Sequence, residues 1–369
     1  MSLGSYLLLL SFFFFFSCFS FVPLDEPKSP KKNYWQNYSE FLAGIQSHGN
    51  NPEFEKHRKE MDEAWQRIDR ETRNTITQFL QREGIGLEAE TVLYPFSGMD
   101  VLNLFSFFPN AKVYVCFGLE SAQSMDHPPP NLDEETRNFK SIQNLSKFLA
   151  TRNYFTYKIM REEIQMGQLQ GALPVYLAFL TRMGYQVRDV EKISSDRYGT
   201  KEKVFGFRIH FLNPKTSKKQ RLDYWKLFLP NGDPLGRDID SDPLAQYFLQ
   251  LGQKAVFQKS AEYLLHGESR KPARDLFLKD TFLIVQDDSG FPLKYFPETQ
   301  WQRKIYGKFQ KSWNLPGANT PEAQPELLAF RDQEPLPFPF GYGVLSGKTK
   351  QESILIILKN DSKLLTRRH

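Results

Sequence analysis

Apolar runs broken by turn residues organise the stretch from Thr91 to Glu120, TVLYPFSGMDVLNLFSFFPNAKVYVCFGLE, as strand, turn, short helix and strand. Thr91 to Tyr94 is a short β-rich run closed by Pro95, which cannot continue a ladder. Ser97-Gly98 predicts a turn and Asp100 an N-cap for a helix over Val101 to Phe108, which Pro109-Asn110 stops. Lys112 to Phe117 is then the apolar run of a strand buried on both faces. Strand, crossover and strand imply two parallel strands joined in the right-handed sense. Ligands of open parallel sheets bind outside the carboxyl ends of the strands. That places Tyr94, Ser97, Gly98, Asp100, Gly118 and Glu120 along one rim.

The same patterning places the other elements. Asn51 caps a long helix that has Pro52 at its first position and Phe54, Met61, Trp65, Ile68, Ile76 and Phe79 on one stripe. Leu132 to Leu149, Tyr154 to Met166 and Gly171 to Met183 read as helices, and Tyr185 to Val190 as the strand of a second helix-to-strand step. Lys203 to Leu212 and Arg221 to Leu229 alternate across a polar turn and predict an antiparallel hairpin added to the sheet. Leu244 to Leu251, Phe257 to His266 and Pro272 to Leu278 read as a run of helices. Thr281 to Val285 is a strand that Pro292 to Phe296 is expected to flank, and Ser353 to Lys359 is the last strand. Together these predict an α/β fold: a mixed, mainly parallel, Rossmann-like sheet flanked by helices. It forms one domain over residues 35–360, with a basic tail over 361–369.

Composition changes this picture chiefly at the start of the chain. Residues 1–24 carry no charge, and Tyr6 to Val22 is almost wholly apolar. That length suits a signal-peptide core better than a membrane-spanning helix, although no Lys or Arg precedes it. Phe15-Phe16-Ser17-Cys18 resembles a lipoprotein cleavage box, with Cys18 as the lipidated residue; a plain secretory signal and an uncleaved anchor are the alternatives. Residues 1–22 are thus a signal or anchor and 23–34 a Pro- and Lys-rich linker, which gives the membrane as a partner and the cell envelope as the address. Cys18 and Cys116 are the two cysteines, so neither a disulfide framework nor a zinc set is available, and Cys116 is expected buried and inert. A net charge of +5 spread along the chain is not the clustered footprint of a nucleic-acid binder.

The candidate chemistry is carboxylate-rich. Glu120 ends the second strand about twenty residues after the glycine turn, where a nucleotide-binding fold keeps its ribose-binding acid. One glycine stands there instead of G-x-G-x-x-G, and Pro95 and Phe96 crowd the loop, so a generic turn and strand-end acid is the first expectation and nucleotide binding the second. Asp287-Asp288, with Ser289, come after another strand; one carboxylate could meet Asp100 or Glu120 across the rim and form a cluster for a cation or acid–base work, or the segment is simply a turn. His266 stands a helical turn from Glu262 and is a weaker acid–base candidate than a capping side chain. Gly341 to Thr349 imitates a phosphate loop but leads into a strand, and Asp238 to Asp242 imitates a calcium loop but Pro243 takes its glycine place. Tyr94, Tyr295, Trp301, Tyr306 and Trp313 would suit sugars or peptides by stacking if they shared a surface.

The segments YPFSGMD (94–100), FGLE (117–120), SAEYLLH (260–266) and QDDSGFP (286–292) through Tyr295-Phe296 occur in this order. As a set they resemble a family of exported, uncharacterised bacterial proteins sharing a YPFSGxD segment. The resemblance covers most of the chain from Trp35 onward; it implies an envelope address and one folded unit, and no mechanism. The leading expectation is therefore an envelope α/β protein whose strand-end rim binds a small-molecule, glycan or peptide ligand. A carboxylate- or metal-dependent hydrolase is the second. A Rossmann-like nucleotide- or methyl-donor-binding enzyme is the third, favoured if the domain is cytoplasmic.

Overall fold

A computed structural model of the chain describes residues 34–47, 50–122, 136–155, 157–165, 169, 171–197, 199, 203–230, 233–309, 311–312, 321–341 and 352–360. Cys18, the linker, the phosphate-loop look-alike beyond Gly341, Trp313 and the basic tail lie outside them. Among the described residues, no helix is long and apolar enough to cross a membrane. The described residues fall in one compact unit.

Helix α1 is Tyr34–Leu42. Helix α2, Pro52–Ile68, starts where Pro52 and the Asn51 cap direct it, the Asn51 side chain accepting from the amides of Glu53 and Phe54. A wide turn over Asp69–Arg73 separates it from α3, Asn74–Arg82, so the single long helix expected here is two in line. Then come β1 (Thr91–Tyr94), α4 (Val101–Phe107) and β2 (Val113–Gly118), the unit the apolar runs foretold. Helices α5 (Phe139–Arg152), α6 (Tyr157–Met160) and α7 (Leu173–Arg182) come after it. Next are β3 (Gln186–Asp196), β4 (Lys203–Asn213) and β5 (Lys218–Lys226), then α8 (Pro243–Gln250) and β6 (Lys254–Gln258). Helix α9 (Lys271–Leu278), β7 (Thr281–Gln286), β8 (Trp301–Gly307) and β9 (Ser353–Lys359) complete the order.

The strands make one sheet in the order β3-β4-β5-β2-β1-β6-β7-β9-β8. Strands β5, β2, β1, β6 and β7 run parallel. Strand β9 is antiparallel to both neighbours, so β8 again points with the central strands. At the other edge β3 and β4 return antiparallel. The fold is thus an α/β sheet, mainly parallel at its centre, with antiparallel edges.

Alternate residues of the central strands feed two cores. Val92, Tyr94, Tyr114, Cys116 and Phe257 pack with α4 and α7 on one face. Leu93, Val115, Phe117, Val256 and Ile284 pack with α8 and α9 on the other. The β1-to-β2 connection therefore covers one face and the β6-to-β7 connection the opposite one. The winding reverses between β1 and β6, where the strand ends leave a crevice.

Four further elements differ from expectation. Phe257 to His266 is not a helix: Lys254–Gln258 is a buried parallel strand, and beyond it the chain runs through an irregular loop. A short, fully buried strand shows no alternation, so its apolar run merged with Leu264-Leu265 into a false helical period. Strand β3 comes after α7 as a helix-to-strand step, but it runs on past Val190 to Asp196 and pairs with β4 alone at the sheet edge. Leu293–Tyr295 is a single tight helical turn, and β8 over Trp301–Gly307 is the strand beside β9. Its mixed sequence, WQRKIYG, is that of a charged edge strand, which the search for apolar runs passes over.

Candidate functional site

The crevice is built from the loops after β1, β2 and β6. After Tyr94 the chain turns through Phe96 and Gly98, both at positive φ (58° and 52°). Ser97 ties this loop to β2: its amide donates to the Phe117 carbonyl at 2.9 Å, and from α7 the Tyr176 hydroxyl donates to the Gly98 carbonyl at 2.7 Å. Gly118 has no room for a side chain, since a Cβ there would stand 2.5 Å from Glu120 Oε2 and 3.1 Å from Gly98 Cα. The two glycines thus let the β1 and β2 loops touch and form the floor.

Asp100 caps α4, accepting from the Asn103 amide at 3.2 Å. The Asn103 carboxamide donates to Oδ1 at 2.8 Å and to Oδ2 at 3.1 Å, and the Tyr94 hydroxyl donates to Oδ2 at 3.2 Å. Across the crevice Lys259 Nζ forms an ion pair with the same oxygen at 3.0 Å. Lys259 also donates to the Asn153 carbonyl, and the Asn153 side chain returns a bond to Asn103 Oδ1 at 3.1 Å. Asn153 reaches this place because it ends α5 in the left-handed conformation. Burial, then the Asp100 charge, holds the Tyr94 hydroxyl well above its ordinary pKa, so it stays a donor.

Glu120 is placed differently. It is 3% exposed, the Tyr224 hydroxyl donates to Oε2 at 3.2 Å, and among the described residues it has no ion-pair partner. Burial pushes its carboxyl up from the usual range, against hydrogen bonds from its own backbone and from Tyr224. Its Oε2 lies against the glycine floor, so this carboxylate lines the crevice with accepting capacity to spare.

The third wall is the loop after β6. Ser260, Glu262 and Tyr263 all have positive φ, 54°, 51° and 53°. Three non-glycine residues in that region within four positions is costly backbone that its surroundings must hold. Asp287 holds it: Oδ2 accepts from the Ser260 amide at 2.9 Å, and Oδ1 from the Ser289 amide and hydroxyl at 3.0 and 2.6 Å. Ser289 Oγ in turn accepts from the Ala261 amide at 2.8 Å, and Asp288 accepts from the Tyr263 hydroxyl at 2.6 Å. Burial raises the pKa of both aspartates, opposed at Asp287 by the Ser289 hydrogen bond and reinforced at Asp288 by the Asp287 charge.

These residues enclose a cavity of about 250 Å³. Tyr94, Ser97, Gly98, Asp100 and Glu120, all picked from the strand ends, line it, together with Gly118. Asp288 and Ser289 do not; with Asp287 they brace the β6 loop from behind. The carboxylates do not gather as a cation cluster, and among the described residues no three acidic, histidine or cysteine side chains are placed to hold a metal. His266 is also outside the lining: its Nδ1 accepts from the Glu322 amide at 2.9 Å, and burial pulls its pKa down to about 4. Among the described residues there is no shared aromatic platform either, because Tyr94 and Trp301 are buried and Tyr306 packs edge-on against Phe79. The calcium look-alike is a helix start, Asp242 capping α8 with Pro243 at its first position. Cys116 is a free, buried thiol that burial pushes up to about 12.

Lys259, Glu262, Arg270, Phe155, Met160 and Phe228 also line the cavity and were not anticipated. Reading Phe257 to His266 as a helix hid Lys259 and Glu262. The signal that finds them is Gln258-Lys259-Ser260 directly after Ala255-Val256-Phe257, a polar stop closing a buried strand. Compared with known family models, curated proteins and solved structures, the chain matches none.

Proposed function

We propose that the crevice binds a nucleoside-type molecule without a phosphate chain, with a sulfonium methyl donor such as S-adenosylmethionine as the best fit. The protein is then a Rossmann-like methyl-donor-binding enzyme. The observation that carries this reading is Glu120: a desolvated carboxylate at the end of β2, the strand next to β1, over a floor made by Gly98 and Gly118 and lining the crevice at the reversal of the winding. An acid in that position accepts the two hydroxyls of a ribose.

Charge decides against phosphates. The site where a dinucleotide fold seats its pyrophosphate, the start of the helix after β1, is filled here by the Asp100 carboxylate. Lys259 is already committed to Asp100, and two further acids of the lining, Glu120 and Glu262, outweigh its other cation, Arg270. A polyphosphate is repelled by such a site, and a cationic sulfonium is attracted. The volume, about 250 Å³, lies below the roughly 300–1,000 Å³ common for small-molecule sites and suits a nucleoside better than a dinucleotide. Tyr154 and Phe155 offer rings beside it for a base or a sulfonium. The hydrolase reading lacks this support, because Asp100, Asp287 and Asp288 are all engaged in hydrogen bonds within the fold.

Calorimetric titration tests the proposal. S-adenosylmethionine, S-adenosylhomocysteine and adenosine are expected to bind, ATP and NAD not, and Glu120→Gln to weaken the first three several-fold. ATP binding as tightly as adenosine, or silence from every adenosine-bearing probe, sinks the reading. The proposal also requires the domain to face the cytoplasm, with the apolar segment over residues 6–22 as an uncleaved anchor. A mature chain beginning at a lipidated Cys18, read by intact mass and detergent partitioning, supports the envelope address instead and counts against it.

A further inference from the structure

The cavity also presents a positive group that the fold leaves unused. Arg270 ends the tight turn before α9, is 8% exposed and lines the cavity. Its Nε has no hydrogen-bond partner, and among the described residues its guanidinium forms no ion pair within 4 Å. Asp233 is the acid whose field it feels, but that carboxylate is held by Arg197 at 2.5 Å. A buried guanidinium with an open fork matches a planar carboxylate in geometry as well as charge. Large apolar side chains line the same cavity and stay exposed to water: Phe228 at 64% and Leu119 at 38%. Covering two such side chains on the cavity lining removes apolar area from water, which favours a ligand with an apolar body.

We infer that Arg270, Phe228 and Leu119 form a second subsite, one that takes an organic acid by its carboxylate and lays its apolar body on the two exposed side chains. Its role as the site of the second substrate rests on the methyl-donor reading; its preference for a carboxylate does not. One arginine set among Glu120, Glu262 and Asp100 suits a single negative charge, which selects a monocarboxylate over a phosphate ester.

Ligand-observed NMR and calorimetry with 3-phenylpropionate and its uncharged amide, with and without saturating S-adenosylhomocysteine, test this directly. The carboxylate is expected to bind the wild-type protein at least tenfold more tightly than the amide, a difference of about 1.4 kcal/mol. Arg270→Gln is expected to bring the ratio near one, and Arg270→Lys to restore part of it; thermal melting reports whether each variant is folded. Equal binding of acid and amide to the wild-type protein, no binding of either, or a preference that survives in folded Arg270→Gln overturns the inference. Titration of S-adenosylmethionine alone reports separately on the donor reading, so the failure of one is told apart from the failure of the other.

Discussion

Removing Lys259 tests whether the crevice is braced by its internal ion pair. The Nζ is buried and lies 3.0 Å from Asp100 Oδ2. Lys259→Met leaves a buried carboxylate without its counter-charge, a change that costs about 3–5 kcal/mol. Asp100 keeps three neutral donors, from the Tyr94 hydroxyl and the Asn103 amide and carboxamide, which argues for the lower end. Asp100→Asn takes the ion-pair partner from the buried ammonium, which keeps its bond to the Asn153 carbonyl, and is expected to cost a similar amount. Once one charge has gone, removing the second relieves a penalty, so the double variant is expected to lose about 3 kcal/mol in place of the summed ~6, a coupling of about 3 kcal/mol. Urea unfolding read by circular dichroism, with midpoints compared at constant slope, measures all three. A loss below about 1 kcal/mol in Lys259→Met, or additive losses in the double variant, would falsify the buried pair. By contrast Glu120→Gln, whose carboxylate takes one side-chain hydrogen bond, is expected to unfold at nearly the wild-type midpoint.

Two further outcomes are expected in the same region. Ser260 has φ 54°, a conformation that costs an L-residue about 1–2 kcal/mol and glycine almost nothing. Ser260→Gly is therefore expected to raise stability by about 1 kcal/mol in urea unfolding, and a loss of stability refutes the strain. His266 is held neutral with its pKa pulled down to about 4, whereas the unfolded chain takes up its proton near 6.5. Its contribution to stability is complete above about pH 6.5 and is lost as pH falls through about 4, by at most about 1.4 kcal/mol per pH unit. An NMR titration that places its imidazole midpoint above about 6 contradicts the burial.

The unit at the centre of the sheet is written in the chain itself. The apolar runs of β1 and β2, the turn at Ser97-Gly98 and the Asp100 cap are local features, set by backbone propensity and by burial on both faces. Because strand ends of a parallel sheet share an edge, Tyr94, Ser97, Gly98, Asp100 and Glu120 are legible as one rim from the residues alone. The role of each acid is not legible in that way. Asp100 and Glu120 read alike in one dimension, yet one meets a lysine 159 positions away and the other meets a tyrosine hydroxyl in a dry corner. Lys259 and Glu262 face the crevice only because β6 lies beside β1 and because Asp287 and Ser289 hold a strained backbone behind them. Those are contacts between distant segments, and no local periodicity encodes them. Only the folded chain separates the structural carboxylate from the one that faces the cavity with accepting capacity to spare. A charge's role depends on its distance from other charges and from water, and folding sets both.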